Sequence, residues 1–226
     1  MWLALLLLIA PTADAAKGKK KPKTVEIPID IGVGPAAHLI TGPVYENQPV
    51  HFGLAFSLEA ILNKKLLKRF KSRIPKQFRK KILSMDELRI SHPLIPRTFF
   101  ISPAGIMSST GMYGIGFRPI GLDVKLIDSD TTLEVGLGAR ASYFYMHSLQ
   151  LSSPTHFLRP GLEAKVEMEI PFSDTTLISF GWDSQFYIPQ EIGGPILQIG
   201  KLDESIWHIG QAFVKFHVRV PYTYKL

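Results

Sequence analysis

The chain has no cysteine among its 226 residues. That excludes a disulfide framework, a thiolate metal site and a lipidated N-terminal cysteine. Catalytic signatures are missing too. There is no HExxH pair and no Walker-type loop, and Gly32-Val33-Gly34-Pro35 ends a strand pattern instead of cradling a phosphate. No His-x-Ser occurs, the spacing that would set base and nucleophile on one strand face. His147 and Ser148 are adjacent and point to opposite faces. With no nucleophile–base pair, the expectation is a protein that is not an enzyme and has no catalytic residues, no cofactor and no metal.

Long hydrophobic runs are lacking as well. The run Trp2–Ala10 is too short to span a bilayer, and Pro11 and the small-x-small pattern Ala13-Asp14-Ala15 follow it. Residues 1–15 read as a secretory signal peptide cleaved after Ala15, atypical in having no Lys or Arg ahead of the apolar run. Residues 16–24 form a basic linker, and 25–226 one domain.

Charge is unevenly spread. The net charge is +7, yet five lysines fall within 17–23 and ten Lys or Arg within 63–82, with no acid in either segment. Everything else is therefore net acidic. A nucleic-acid partner fails on that distribution and on the export signal.

What the sequence has in abundance is alternation. Leu133, Val135, Leu137, Ala139, Ala141, Tyr143 and Tyr145 alternate with Glu134, Gly136, Gly138, Arg140 and Ser142. This is the period-2 signature of a two-faced β-strand. It recurs over 25–34, 49–60, 112–127, 157–172, 175–188 and 206–226, with a phase slip at Arg118-Pro119 of the kind a β-bulge produces. The repeated connections Ile127–Thr132 (IDSDTT) and Pro171–Thr176 (PFSDTT) read as tight hairpins, while other connections are longer. Seven strong strands and the short aromatic Arg97–Ser102 make eight, the even number that closes a bacterial barrel. The fold class expected is all-β, an antiparallel up-and-down barrel of about eight strands.

Which face lies outside follows from what occupies each. The polar face is rich in glycine and mixes both charge signs, which weakens a water-facing strand but makes room inside a narrow barrel. The apolar face is continuous and gathers aromatics near strand ends, as interfacial girdles do. These features, with the last strand alternating up to Leu226, resemble the small eight-stranded outer-membrane barrels of the OmpA/OmpX kind, in which that residue is usually Phe. The resemblance covers about residues 24–226, rests on pattern, and implies fold and compartment: a cell-envelope protein of the Gram-negative outer membrane, surrounded by outer-membrane lipid, with N- and C-termini periplasmic. Oligomeric state is open. The rival architecture is a soluble periplasmic barrel of the lipocalin kind, with the faces reversed.

In the transmembrane arrangement the lumen holds Glu134, Arg140, Lys125, Asp123, Arg159, Glu163, Lys165, Glu167, Asp183, Lys215, His217 and Arg219. Buried charges persist when paired, so near balance of signs points to a salt-bridged plug and a structural or envelope-interaction role. A small gated channel is the alternative. Glu134 is expected near Lys125, and Arg140 near Glu163.

One segment breaks the strand pattern. Across 63–83 (NKKLLKRFKSRIPKQFRKKIL), Leu66, Leu67, Phe70, Ile74, Phe78 and Ile82 recur at helical spacing. Around them stand Lys64, Lys65, Lys68, Arg69, Lys71, Arg73, Lys76, Arg79, Lys80 and Lys81. Two short helices divided at Pro75 are predicted. Such a basic amphipathic insert between strands two and three docks on anionic lipid or on a periplasmic partner, or else caps the barrel mouth.

Overall fold

A computed structural model describes residues 24–41, 50–72, 74–102, 110–128, 131–148, 155–189 and 206–225. The predicted signal peptide and most of the basic linker, Arg73 of the insert, and residues 129–130 of the first Ser-Asp hairpin lie outside them.

Nine strands form: β1 (Thr24–Thr41), β2 (Val50–Asn63), β3 (Glu87–Ser91), β4 (Pro96–Ser102), β5 (Thr110–Asp128), β6 (Thr132–Ser148), β7 (Thr155–Pro171), β8 (Thr176–Tyr187) and β9 (Trp207–Lys225). Every pairing is antiparallel, and β1 pairs with both β2 and β9, which closes the sheet. β3 and β4 both lie between β2 and β5, so they are two pieces of one stave and the barrel has eight. The stave is broken at His92–Ile95, where Pro93 and then Pro96 cannot donate to the ladder. β4 matches the strand predicted at 97–102; β3 is an addition, too short and too charged for its alternation to stand out.

Both termini of the described barrel lie at one end, since Thr24 pairs with Lys225. This is called the near end. There the β7–β8 turn is tight: the backbone amides of Phe172 and Ser173 donate to the Thr176 carbonyl at 3.0 and 3.1 Å. The Ser173 hydroxyl accepts from the Thr175 and Thr176 amides at 3.2 and 3.1 Å.

Side chains sort by parity, and the sorting is inside out for a protein in water. Leu137, Leu158, Leu162, Val166, Val214 and Phe216 point outward and are exposed, while Asp30, Arg118, Glu134 and Arg159 point inward and are fully buried. A soluble lipocalin-like barrel has the opposite arrangement, so that alternative falls. Outward apolar residues on β6 run from Leu133 to Tyr145. At ~3.3 Å per residue and a ~40° tilt that is roughly 30 Å of height, enough for the ~25 Å apolar band of a transmembrane barrel. Exposed aromatics sit towards both rims, with Phe172 and Tyr222 at the near end and Phe52, Tyr143, Tyr145 and Phe186 towards the far end. Among the described residues no helix is long and apolar enough to cross a membrane; the crossing elements are strands.

The insert forms α1 (Lys64–Arg69) and α2 (Lys76–Leu83). Asn63 caps α1 by accepting the Leu66 amide at 3.0 Å, and Pro75 opens α2.

Candidate functional site

The inward-facing side chains change character along the height of the barrel. In the near half they are ionic. Among the described residues eight carboxylates and seven Arg or Lys side chains are buried, besides His217. Counting Arg219, whose side chain is 28% exposed, the interior is close to neutral.

Lys165 is the hub. Its Nζ stands 2.6 Å from Glu134, 2.8 Å from Glu167, 3.5 Å from Asp123 and 3.7 Å from Glu59, carboxylates on four different strands. Arg89 lies 2.9 Å from Glu134 and 2.8 Å from Glu87, and also pairs with Glu169. Arg97 pairs with Glu59. Lys215 reaches Glu167 at 2.8 Å. His217 hydrogen-bonds Asp30 and, at 2.8 Å, Ser179. Arg219 reaches Asp30 at 3.1 Å and Glu169 at 3.2 Å. Higher up, Arg118 donates to Asp123 at 2.7 Å and to the Leu137 carbonyl at 2.8 Å. Arg140 donates to Glu163 at 2.6 Å and to the Tyr187 hydroxyl at 2.8 Å, with Asp183 at 3.7 Å.

Two local devices make room for this. Gly121 and Gly138 leave the space that Arg118 fills, and Gly136 leaves that of Asp123; a Cβ at any of the three would collide with those side chains. Register shifts then aim arginines inward. One lies between Phe117 and Ile120 and the other between Pro96 and Thr98, and the arginines inside them, Arg118 and Arg97, are both buried.

In the far half the same inward rows turn apolar. Ile40, Phe100, Met112, Phe144, Met146, Tyr187, Trp207 and Ile209 form one buried cluster. The Phe144 ring is 5.4 to 5.9 Å from those of Tyr187, Trp207, Phe157 and Phe100, within aromatic packing range. Arg159 joins the halves, its guanidinium 4.2 Å over the Trp207 ring and its Nε donating to the Ile188 carbonyl at 2.9 Å.

Of the lumen residues named from sequence, Asp123, Glu134, Arg140, Glu163, Lys165, Glu167, Asp183, Lys215 and His217 meet in the ionic half. Arg159 meets the aromatic cluster and Arg219 lies towards the near mouth. Lys125 is half-buried and faces Glu134 in register, as expected; Lys165 and Arg89 also reach Glu134, at 2.6 and 2.9 Å. Arg89 and Arg97 went unrecognised in the sequence, although ELRIS carries the alternation with Arg89 on its polar side.

Among the described residues two groups have metal-like spacing, Asp30–Glu169–His217 and Glu59–Asp123–Glu134. Each already holds a cationic side chain of the protein: Arg219 beside Asp30 and Glu169, and Lys165 beside Glu59, Asp123 and Glu134.

A second feature lies outside the barrel. Leu66, Leu67 and Phe70 are buried against Val25, Ile27, Leu62 and Leu88, which have outward parity. Ile82, Leu83, Leu122 and Val124 pack around them. The mouth-cap expectation is thereby corrected: the apolar side of the hairpin is matched by the barrel's outer wall, and the polar mouth offers it nothing to bury. Lys64, Lys65, Lys68, Arg69, Lys71, Lys76, Lys80 and Lys81 are exposed, and Lys64 pairs with Asp86 at 2.9 Å. Arg79 is half-buried and donates to the Ile74 carbonyl at 3.1 Å, holding the turn between the helices.

No protein-family model matches the sequence, and no curated protein matches it. Among solved structures, Neisserial surface protein A is 14% identical, with 85% of this chain and 97% of that chain covered and a TM-score of 0.46. Ail, the attachment invasion locus protein of Yersinia pestis, in complex with the heparin analogue sucrose octasulfate, is 11% identical over 87% of this chain and 100% of that one, with a TM-score of 0.48. The outer membrane protein OprG of Pseudomonas aeruginosa is 11% identical over 88% and 97%, at 0.38. Likenesses this distant carry nothing about function.

Proposed function

We propose that the chain is a non-enzymatic outer-membrane barrel with a closed lumen, a structural and envelope-interaction protein and not a pore. The observation that carries this reading is the double closure: an aromatic cluster fills one half of the interior and a shared ion-pair network the other. An eight-stranded barrel has room for little beyond its own side chains. Here ion pairs and ring contacts join most of those side chains to one another, which argues against a continuous file of water, although the ring nitrogens of His38 and the Ser57 hydroxyl are buried with no hydrogen-bond partner. Export through the signal at 1–15 would deliver the chain to the envelope. The near end would face the periplasm, as the tight β7–β8 turn there favours.

The chain has no cysteine of its own, which makes a clean test possible. Ser142 is buried between Arg140 and Tyr187. In Ser142→Cys, the single thiol should resist a small charged thiol reagent in the folded, membrane-embedded barrel and react after denaturation. Prompt labelling of the folded barrel would mean an open lumen. Cell fractionation tests location: the protein should sediment with the outer membrane and migrate in a heat-modifiable way on gels. A species soluble in the periplasm without detergent would overturn the membrane assignment.

A further inference from the structure

The helical hairpin differs from a free amphipathic helix in one respect. A free helix must push its apolar side into lipid to bind a membrane at all. In this hairpin α1 and Ile74 already have their apolar side buried on the outer wall of the barrel. The cations of α1 are therefore held at a fixed height, which the strand register gives, and α2, with no fully buried residue, packs alongside through Ile82 and Leu83. The hairpin covers Ile27, and Ile27 pairs with Tyr222, an outward aromatic 55% exposed at the near end. Exposed Phe172, beside the β7–β8 turn, lies at the same rim. Aromatic rings at a barrel rim sit at headgroup depth. The hairpin thus lies beside the barrel at the level of the phosphates.

Its charge is of one sign. From residue 63 to 82 there are ten cations and no acid. Lys68, Arg69, Lys71, Lys76, Lys80 and Lys81 are exposed. Between hairpin and wall is a notch lined by Leu67, Phe70, Ile74 and Ile82 on one side and Leu88 and Leu122 on the other, with no polar lining. Such a notch suits lipid and not water.

We infer that the hairpin is a fixed binding collar for anionic phospholipid in the leaflet nearest the chain termini, with Lys68, Arg69, Lys71, Lys76, Lys80 and Lys81 taking the headgroup phosphates. This deepens the proposed function, and it rests on the membrane-spanning part of that reading but not on the closed lumen. An acidic protein would satisfy the same charges, but the position beside the barrel wall at headgroup depth favours lipid.

The test reconstitutes the full chain into phosphatidylcholine vesicles carrying trace spin-labelled phosphatidylglycerol or spin-labelled phosphatidylcholine. The readout is the motionally restricted fraction of each label. Wild type should favour the anionic label by about fivefold at low salt, what one engaged cation near a surface supplies at ~1 kcal/mol. The preference should shrink at high salt. Changing the six cations to Gln should bring it to about one while leaving heat-modifiable folding intact. Equal restriction of both labels by wild type would overturn the collar, and so would a preference that survives the six substitutions. Equal restriction together with capture of an acidic periplasmic protein would assign the surface to that partner. Failure of the chain to insert into vesicles at all would overturn the collar and the membrane assignment together, whereas a conducting barrel with intact lipid preference would overturn only the closed lumen.

Discussion

The two halves of the lumen solve one problem by opposite chemistry. In the near half Lys165 is shared by four carboxylates, and Arg89, Arg97, Arg118 and Arg140 each reach more than one polar partner. In the far half Phe144 is packed among four aromatic rings. Ion pairs are directional and desolvated, so losing one member strands the others. A ring cluster is held chiefly by buried apolar volume, so losing one member leaves a void. The near half therefore depends on which partner is removed, and the far half on how much volume is removed.

The largest effect is expected at the hub. Lys165→Met fills similar space but leaves Glu59, Asp123, Glu134 and Glu167 short of a shared cation, and should lower the stability of the folded barrel by about 5 kcal/mol, the upper range for breaking a buried ionic group. Urea titration in detergent or vesicles measures it. Adding Glu134→Gln should recover part of the loss, and strict additivity in that cycle would deny the coupling.

Arg140→Met should cost somewhat less, about 3–5 kcal/mol by the same measurement, because Glu163 keeps Arg118 at 3.5 Å and Arg97 at 3.9 Å. In the far half Phe144→Ala should cost about 3 kcal/mol, while Phe144→Leu should cost markedly less. If the two substitutions were equally damaging, volume would not be what closes that half.

The smallest effect is expected at Lys125. Glu134, the partner the sequence assigned to it, already has Lys165 and Arg89, and Lys125 is half-exposed. Lys125→Met should shift the unfolding midpoint by less than about 1 kcal/mol. A loss as large as that of Arg140→Met would make Lys125 a principal partner of Glu134.

Much of this was legible in the sequence. Strand parity separated the apolar outer face from the charged inner one, the phase slip at Arg118-Pro119 marked a bulge that exists between Phe117 and Ile120, and helical spacing marked the insert with its break at Pro75. What escaped has physical causes. Period 2 says which residues share a face, but not when that face changes character with height. Phe144 and Met146 continue the inward row of Arg140 and Ser142, as Trp207 and Ile209 precede Gln211 and Phe213 in theirs. Where both faces are apolar the alternation fades, so the aromatic half of the lumen left no contrast to read. Glu134 found one cation, Lys165, on the neighbouring β7, and another, Arg89, on β3, which does not pair with β6. Nearest-neighbour register cannot show the second, because a barrel interior also joins strands across the lumen. The side of the barrel to which the hairpin docks was equally hidden, since its apolar residues predict burial without naming the surface.

If the ionic half and the aromatic half together leave no path for ions, the purified, refolded wild-type barrel should give a silent baseline over repeated insertions in planar-bilayer recording. Steady ohmic current through the folded protein would show that its lumen is open.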